Sequence, residues 1–266
     1  MSTPTTSTRR TTPRADCVAD AAGGITFDVA GTGAHDGALV LKRRGGSGPA
    51  DEVRLPLSTS GEGSSRAVLP SAVELAEGRW DAYTESGEAV EPGIRDLRAL
   101  VDQEPGSGRI AVRVPYPTAD GRLAVRCWVR TPHAEAGAIG FAPEQGAMSV
   151  EGVLYGTELG EGAVVEARLR SGERVHEVPV SGAGRTFGFT LAYAPIAEGG
   201  AGEERLWELW LRPASDAPRV RISRILDDVW DKKSIFVYPK QRTAAYQAAA
   251  CYTGDNDLCV RVTVPA

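Results

Sequence analysis

Histidine is almost missing from this sequence: His35, His133 and His176 are the only three in 266 residues. None has a second histidine or a cysteine at metal-binding spacing, and neither H-E-x-x-H nor C-x-x-C occurs, so the zinc patterns are excluded. Cysteine is nearly as sparse. Cys17, Cys127, Cys251 and Cys259 stand apart, and in the internal repeat set out below Cys17 answers to Ala136 and Cys259 to Ala124. A disulfide framework needed by the fold would have been copied with it. The thiols are therefore expected to stay reduced, as in a cytoplasmic protein.

Long apolar runs are absent too, so no membrane-spanning helix is expected. The opening M-S-T-P-T-T-S-T-R-R-T-T-P-R has arginines but no apolar stretch behind them, so no secretory signal is expected. Residues 1–13 are expected to form a disordered tail, and the location expected is cytoplasmic or peripheral to the cell envelope. There is no excess of positive charge: 30 Lys and Arg face 35 Asp and Glu, for a net charge of −5. That excludes a nucleic-acid partner, because phosphate backbones are held by a basic face. No G-x-S-x-G, no P-loop and no G-x-G-x-x-G opening a helix occurs, so no cofactor is expected.

What is present is one unit written twice. T-P-R-A-D at Thr12–Asp16 returns as T-P-H-A-E at Thr131–Glu135, and A-E-G at Ala76 returns at Ala197. W-D-A-Y from Trp80 returns as W-E-L-W from Trp207. Y-P-T-A-D-G-R-L-A-V-R (Tyr116–Arg126) aligns without gaps on C-Y-T-G-D-N-D-L-C-V-R (Cys251–Arg261), with five of eleven positions identical. The offset moves between 119 and 135, far longer than a solenoid period, so the repeat reads as a domain duplication.

Each copy carries short alternating runs broken by turn residues. Examples are A-L-V-L-K-R (Ala38–Arg43), R-W-D-A-Y-T (Arg79–Thr84), L-W-E-L-W-L-R (Leu206–Arg212) and S-I-F-V-Y (Ser234–Tyr238). Strands at this spacing, with 31 Gly and 17 Pro between them, predict an all-β fold of two tandem immunoglobulin-like sandwiches, at 14–130 and 131–266. Near Ile94–Val101 and Ile222–Val229 the apolar spacing approaches that of a helix, and a short helical turn is the alternative there. Trp80 and Trp207, equivalent in the two copies, are expected core anchors. Trp128 and Trp230 have no aromatic counterpart and are expected to be exposed contacts.

Two clusters could carry chemistry. D-N-D at Asp255–Asp257 could grip a divalent cation, but its counterpart is the turn A-D-G-R, so a turn is expected. D-D-V-W-D-K-K differs from its counterpart in the first copy, A-L-V-D-Q-E-P, which lacks the double aspartate and the lysine pair. Asp227, Asp228, Trp230, Asp231, Lys232 and Lys233 are therefore the candidate interaction surface, with no catalytic residue and no metal ligand assigned.

L-W-E-L-W-L-R-P, R-I-L-D-D-V-W-D-K-K-S-I-F-V-Y-P, C-Y-T-G-D-N-D-L-C-V-R-V and V-P-Y-P-T-A-D-G-R-L-A-V-R-C-W resemble segments of proteins from high-GC Gram-positive bacteria that carry the label transferase. The same region resembles the non-catalytic C-terminal β-domains of wall-polymer glycosyltransferases of the teichoic-acid kind. In that family sugar transfer resides in an upstream α/β domain with a D-x-D motif, and this chain offers nothing onto which those residues map. The resemblance implies an accessory or interaction protein of envelope or glycan biosynthesis. Its partner would be a protein, a glycosyltransferase among the candidates, or a glycan. The alternatives are a transferase with a site between the copies, using Asp227, Asp228 or His133, and a carbohydrate-binding module.

Overall fold

A computed structural model describes residues 12–31, 37–61, 63–101, 103, 105, 108–199 and 202–265. His35, and the expected tail apart from Thr12 and Pro13, lie outside the described residues. The chain divides into two compact units, Met1–Glu104 with Ala111–Val129 and Pro105–Ile110 with Arg130–Ala266.

In the first unit the strands are β1 (Arg14–Ala19), β2 (Ile25–Ala30), β3 (Ala38–Arg43), β4 (Glu52–Pro56), β5 (Ser58–Gly61), β6 (Ser64–Leu69), β7 (Gly78–Thr84), β8 (Glu91–Asp96), β9 (Ile110–Pro117) and β10 (Leu123–Arg130). They form two five-stranded sheets, ordered β5-β6-β2-β1-β8 and β4-β3-β7-β10-β9. Alternation sets the buried face: Ala15, Cys17 and Ala19 of β1 are buried while Arg14, Asp16 and Val18 are exposed. Trp80 and Ala82 do the same on β7.

The second unit holds β11 (His133–Ala142), β12 (Ala147–Tyr155), β13 (Val164–Leu169), β14 (Val175–Pro179), β15 (Ser181–Ala183), β16 (Thr186–Ala192), α1 (Tyr193–Ala197), β17 (Glu204–Arg212), β18 (Val220–Ser223), α2 (Lys232–Ile235), β19 (Gln241–Arg242), β20 (Gln247–Tyr252) and β21 (Leu258–Thr263). One layer runs β15-β16-β12-β11-β18. The other runs β14-β13-β17-β21-β20-β19. Apart from the added β19, this is the strand order of the first unit. Apolar residues of both layers, among them Met148, Phe189, Trp207, Leu209, Tyr252 and Val260, form one core. The chain is an all-β sandwich protein, as its sequence predicts.

One strand in each unit crosses between layers. β18 pairs antiparallel with β17 through Val220 and Arg221, then parallel with β11 through Ile222 and Ser223. In the first unit Val90 bonds to Ala82 and Leu123 of one layer, and β8 then runs parallel to β1 of the other. A carboxylate holds each crossing. Asp16 Oδ1 accepts the Ile94 N–H at 2.6 Å, a contact that Gly93 permits, since a Cβ there would fall 1.9 Å from the same oxygen. Glu135, at the matching place in T-P-H-A-E, accepts the N–H groups of Ile225 and Leu226 at 3.0 to 3.1 Å.

Three expectations need correction. Trp128 is not an exposed contact: it is fully buried, with the Arg126 guanidinium 4.9 Å over its ring. S-I-F-V-Y is not a strand. The Phe236 N–H bonds back to the Lys232 carbonyl, closing the short turn α2, and no ladder follows. Its alternation is nonetheless real, with Ile235 and Val237 exposed and Phe236 and Tyr238 packed against the core. The third concerns Lys232, below. The apolar spacing near Leu97 does produce a helical turn, a single 3-10 turn at Arg98–Leu100. No helix among the described residues is long and apolar enough to cross a membrane.

Candidate functional site

The turn between β20 and β21 is the foundation of the site. Thr253 N–H bonds to the Asp257 carbonyl at 2.9 Å and Asn256 N–H to the Thr253 carbonyl at 3.1 Å. The Thr253 hydroxyl accepts the N–H groups of Asp255 and Asp257. The first unit builds the same turn on Thr118, with Gly121 at φ +77° where the second has Asn256 at φ +59°. Both occupy the left-handed region, which Gly enters freely and Asn more easily than other side chains. D-N-D is thus a turn, as its counterpart predicts. The Asp257 oxygens are already engaged, by the Ser223 hydroxyl at 2.7 Å and the Arg221 guanidinium at 2.9 Å.

Choosing Asn over Gly adds a side chain with a use. Fully buried, Asn256 accepts the Lys232 N–H through Oδ1 and donates from Nδ2 to the Val229 carbonyl, both at 3.0 Å. The Asp227–Lys233 loop is thereby fixed to the turn. Arg224 adds a third tie, its N–H reaching the Asn256 carbonyl at 3.0 Å. The sequence offers the two clusters separately, and the fold brings them together.

Within the loop the charges divide into two sets. Lys232 is fully buried; its Nζ donates to Asp227 Oδ1 and to the Val229 carbonyl, and lies 5.9 Å from the Phe236 ring. Burial pulls its pKa below the ordinary lysine value, and the Asp227 carboxylate pulls it back up. Asp227 also accepts the Val229 N–H at 3.0 Å and the Arg224 Nε–H at 3.2 Å. Lys232 is therefore not part of an interaction surface. A lysine among charged residues reads as solvated in sequence, but here Lys232 opens a four-residue helical turn and is the loop's internal strut.

The second set faces outward. Asp228, Trp230 and Asp231 are half-buried and Lys233 is exposed. Among the described residues, the side chains of Asp228, Asp231 and Lys233 make no hydrogen bond or ion pair. Two of the three residues considered for a transferase site are already engaged. His133 is buried and bonded at 2.7 Å to Glu135, Asp227 is committed to Lys232 and Arg224, and only Asp228 keeps an open carboxylate.

Beside the loop lies an aromatic group that sequence reading missed. Phe236, Tyr238 and Tyr252 sit with ring centroids 5.9 to 6.1 Å apart, and Phe141 is 5.4 Å from Tyr238. The signal is the F-x-Y alternation in S-I-F-V-Y, whose period of two reads as a strand.

No protein-family model matches the chain, and no curated protein matches it. Among solved structures it is similar to a crystal structure of S. aureus TarS 217-571, at 15% identity and a TM-score of 0.32, over 67% of this chain and 55% of that one. It is also similar to a pullulanase from Anoxybacillus sp. LM18-11 crystallised with maltotriose, at 9% identity and a TM-score of 0.27, over 82% of this chain and 26% of that one. The chain thus spans about half of the first of these. Neither likeness carries an argument about function, which rests on the loop itself.

Proposed function

We propose that the chain is a non-catalytic tandem immunoglobulin-like module, at 14–130 and 131–266, that docks a protein partner in cell-envelope or glycan biosynthesis. The working surface is the outward set Asp228, Trp230, Asp231 and Lys233. One observation carries the reading: a half-buried tryptophan stands among three unpaired charges on a loop that Lys232 and Asn256 tie into the fold. Rigid aromatic anchors with flanking charge are the residues that dominate interface energies, because little entropy is lost when they bind. The sequence resemblance to accessory β-domains of wall-polymer glycosyltransferases supplies the setting, with a glycosyltransferase as the partner class.

Affinity capture with the wild type and with Trp230→Ala tests this. The wild type retains a glycosyltransferase from extracts of the source cell, and the variant, equally folded, loses it at a cost of about 2 kcal/mol or more. Capture of the same protein by both would defeat the reading. So would release of nucleotide from nucleotide sugars by the purified chain, since an accessory module has no turnover of its own.

A further inference from the structure

The loop's far end opens on a second feature, which shares Lys233 with the docking surface and otherwise uses other residues. Between the outer face of β20–β21 and the stretch from Lys233 to Lys240 is a cleft of about 260 Å³. Its size lies just under the roughly 300 Å³ at which small-molecule pockets begin. The sequence keeps its floor low. Ala249 and Cys251 alternate with the core residues Ala248, Ala250 and Tyr252, so two of the three outward positions of β20 carry short side chains, with Gln247 as the third. Phe236 and Tyr238 form an aromatic wall, held in place by packing on Tyr252 and by the Tyr238 hydroxyl donating to that of Tyr252 at 3.3 Å.

The charge around the cleft runs against the rest of the chain. Lys233, Lys240 and Arg261 line it with Glu204 as the only carboxylate among its lining residues, while the whole chain carries −5. Glu204 is occupied by Arg261, at 3.4 Å. Lys233 and Lys240 have no partner among the described residues. Two unpaired ammonium groups beside one cleft repel each other, and a dianion between them removes the repulsion. A phosphate monoester carries nearly two negative charges at neutral pH, and lysine binds it as a point charge without demanding a fixed geometry. The aromatic wall favours a ring beside that phosphate.

We propose that this cleft binds a small phosphorylated ring compound, its phosphate between Lys233 and Lys240 and its ring against Tyr238. Sugar phosphates and nucleotides share this chemistry, and the two are separated by titration. Calorimetric titration of the full chain with glucose phosphate, uridine monophosphate, inorganic phosphate and glucose is the experiment. Binding of one or both phosphorylated rings, no binding of glucose, and inorganic phosphate at least about tenfold weaker are expected, with affinity falling as salt rises. The tighter of the two rings identifies the natural source. Lys240→Gln, an exposed position outside the docking loop, weakens binding about tenfold or more while leaving Trp230-dependent capture intact, so the two proposals fail separately. Absence of heat with both phosphorylated rings, inorganic phosphate binding as tightly as they do, or full affinity in Lys240→Gln overturns the proposal.

Discussion

Asn256 shows how a single residue turns a hairpin tip into a support. Replacing it with Ala forces an ordinary side chain to φ +59° and leaves the Lys232 N–H and the Val229 carbonyl without partners. The expected loss is about 3 kcal/mol, read from urea unfolding; Asn256→Gly should lose about 1 kcal/mol less, because only the strain is relieved. Equal losses in the two variants would mean that the left-handed backbone contributes nothing.

The thiols give a second residue-scale expectation. Burial pushes Cys17 up to about 12 and Cys127 up to about 11, against 9.0 in the unfolded chain. Above pH 9 the unfolded chain releases protons that the native state keeps, so stability is full below that pH and is lost as pH rises through the folded values. The urea midpoint should therefore fall between about pH 8 and about pH 10.5, and Cys17→Ala should fall less steeply than the wild type. A flat profile would place these thiols in contact with water.

Several residues were legible in the sequence for a physical reason: the copies vouch for each other. Trp80 and Trp207 are both core, and each faces a valine of the neighbouring strand, Val125 and Val260 in register. Lys232 and Trp128 were not legible. Each lacks an equivalent in the other copy, and burial of a charge depends on partners distant in sequence, here Asp227 and the Asn256 turn.

At the scale of elements, the crossing strand is what positions the site. β18 leaves one layer for the other, and Glu135 catches the chain as it emerges, so that the loop from Asp227 begins at a fixed point. Glu135→Ala should speed exchange of the Ile225 and Leu226 amides by about tenfold or more, since each loses a charge-assisted hydrogen bond. Asp16→Ala should do the same to the Ile94 amide of the first unit. Unchanged exchange in both would show that the carboxylates do not hold the crossings. Sequence alone aligned Asp16 with Glu135 through T-P-R-A-D and T-P-H-A-E but could not reveal their role. Acceptor and donors are about 78 and 90 residues apart in the two units, a pairing that only the parallel contact creates. The misread S-I-F-V-Y failed for the complementary reason. Its alternation marks which side chains pack inward, and carries no record of whether a neighbouring strand exists.

For the whole molecule, the charged loop has an inner part, Asp227 and Lys232, that maintains the fold, and an outer part that we propose meets a partner. Thermal unfolding of Trp230→Ala and Lys232→Ala, measured side by side on the full chain, tests that division most directly. Lys232→Ala removes the buried ammonium from the largely buried Asp227 carboxylate, which keeps only Arg224 and the Val229 N–H, and empties the space that the lysine stem fills, a loss of about 3 kcal/mol that lowers the melting temperature by about 10 °C in a unit of this size. Trp230→Ala should leave it within about 2 °C of the wild type. A large drop for Trp230→Ala with little change for Lys232→Ala would contradict the account, making the tryptophan the support and the lysine the dispensable residue.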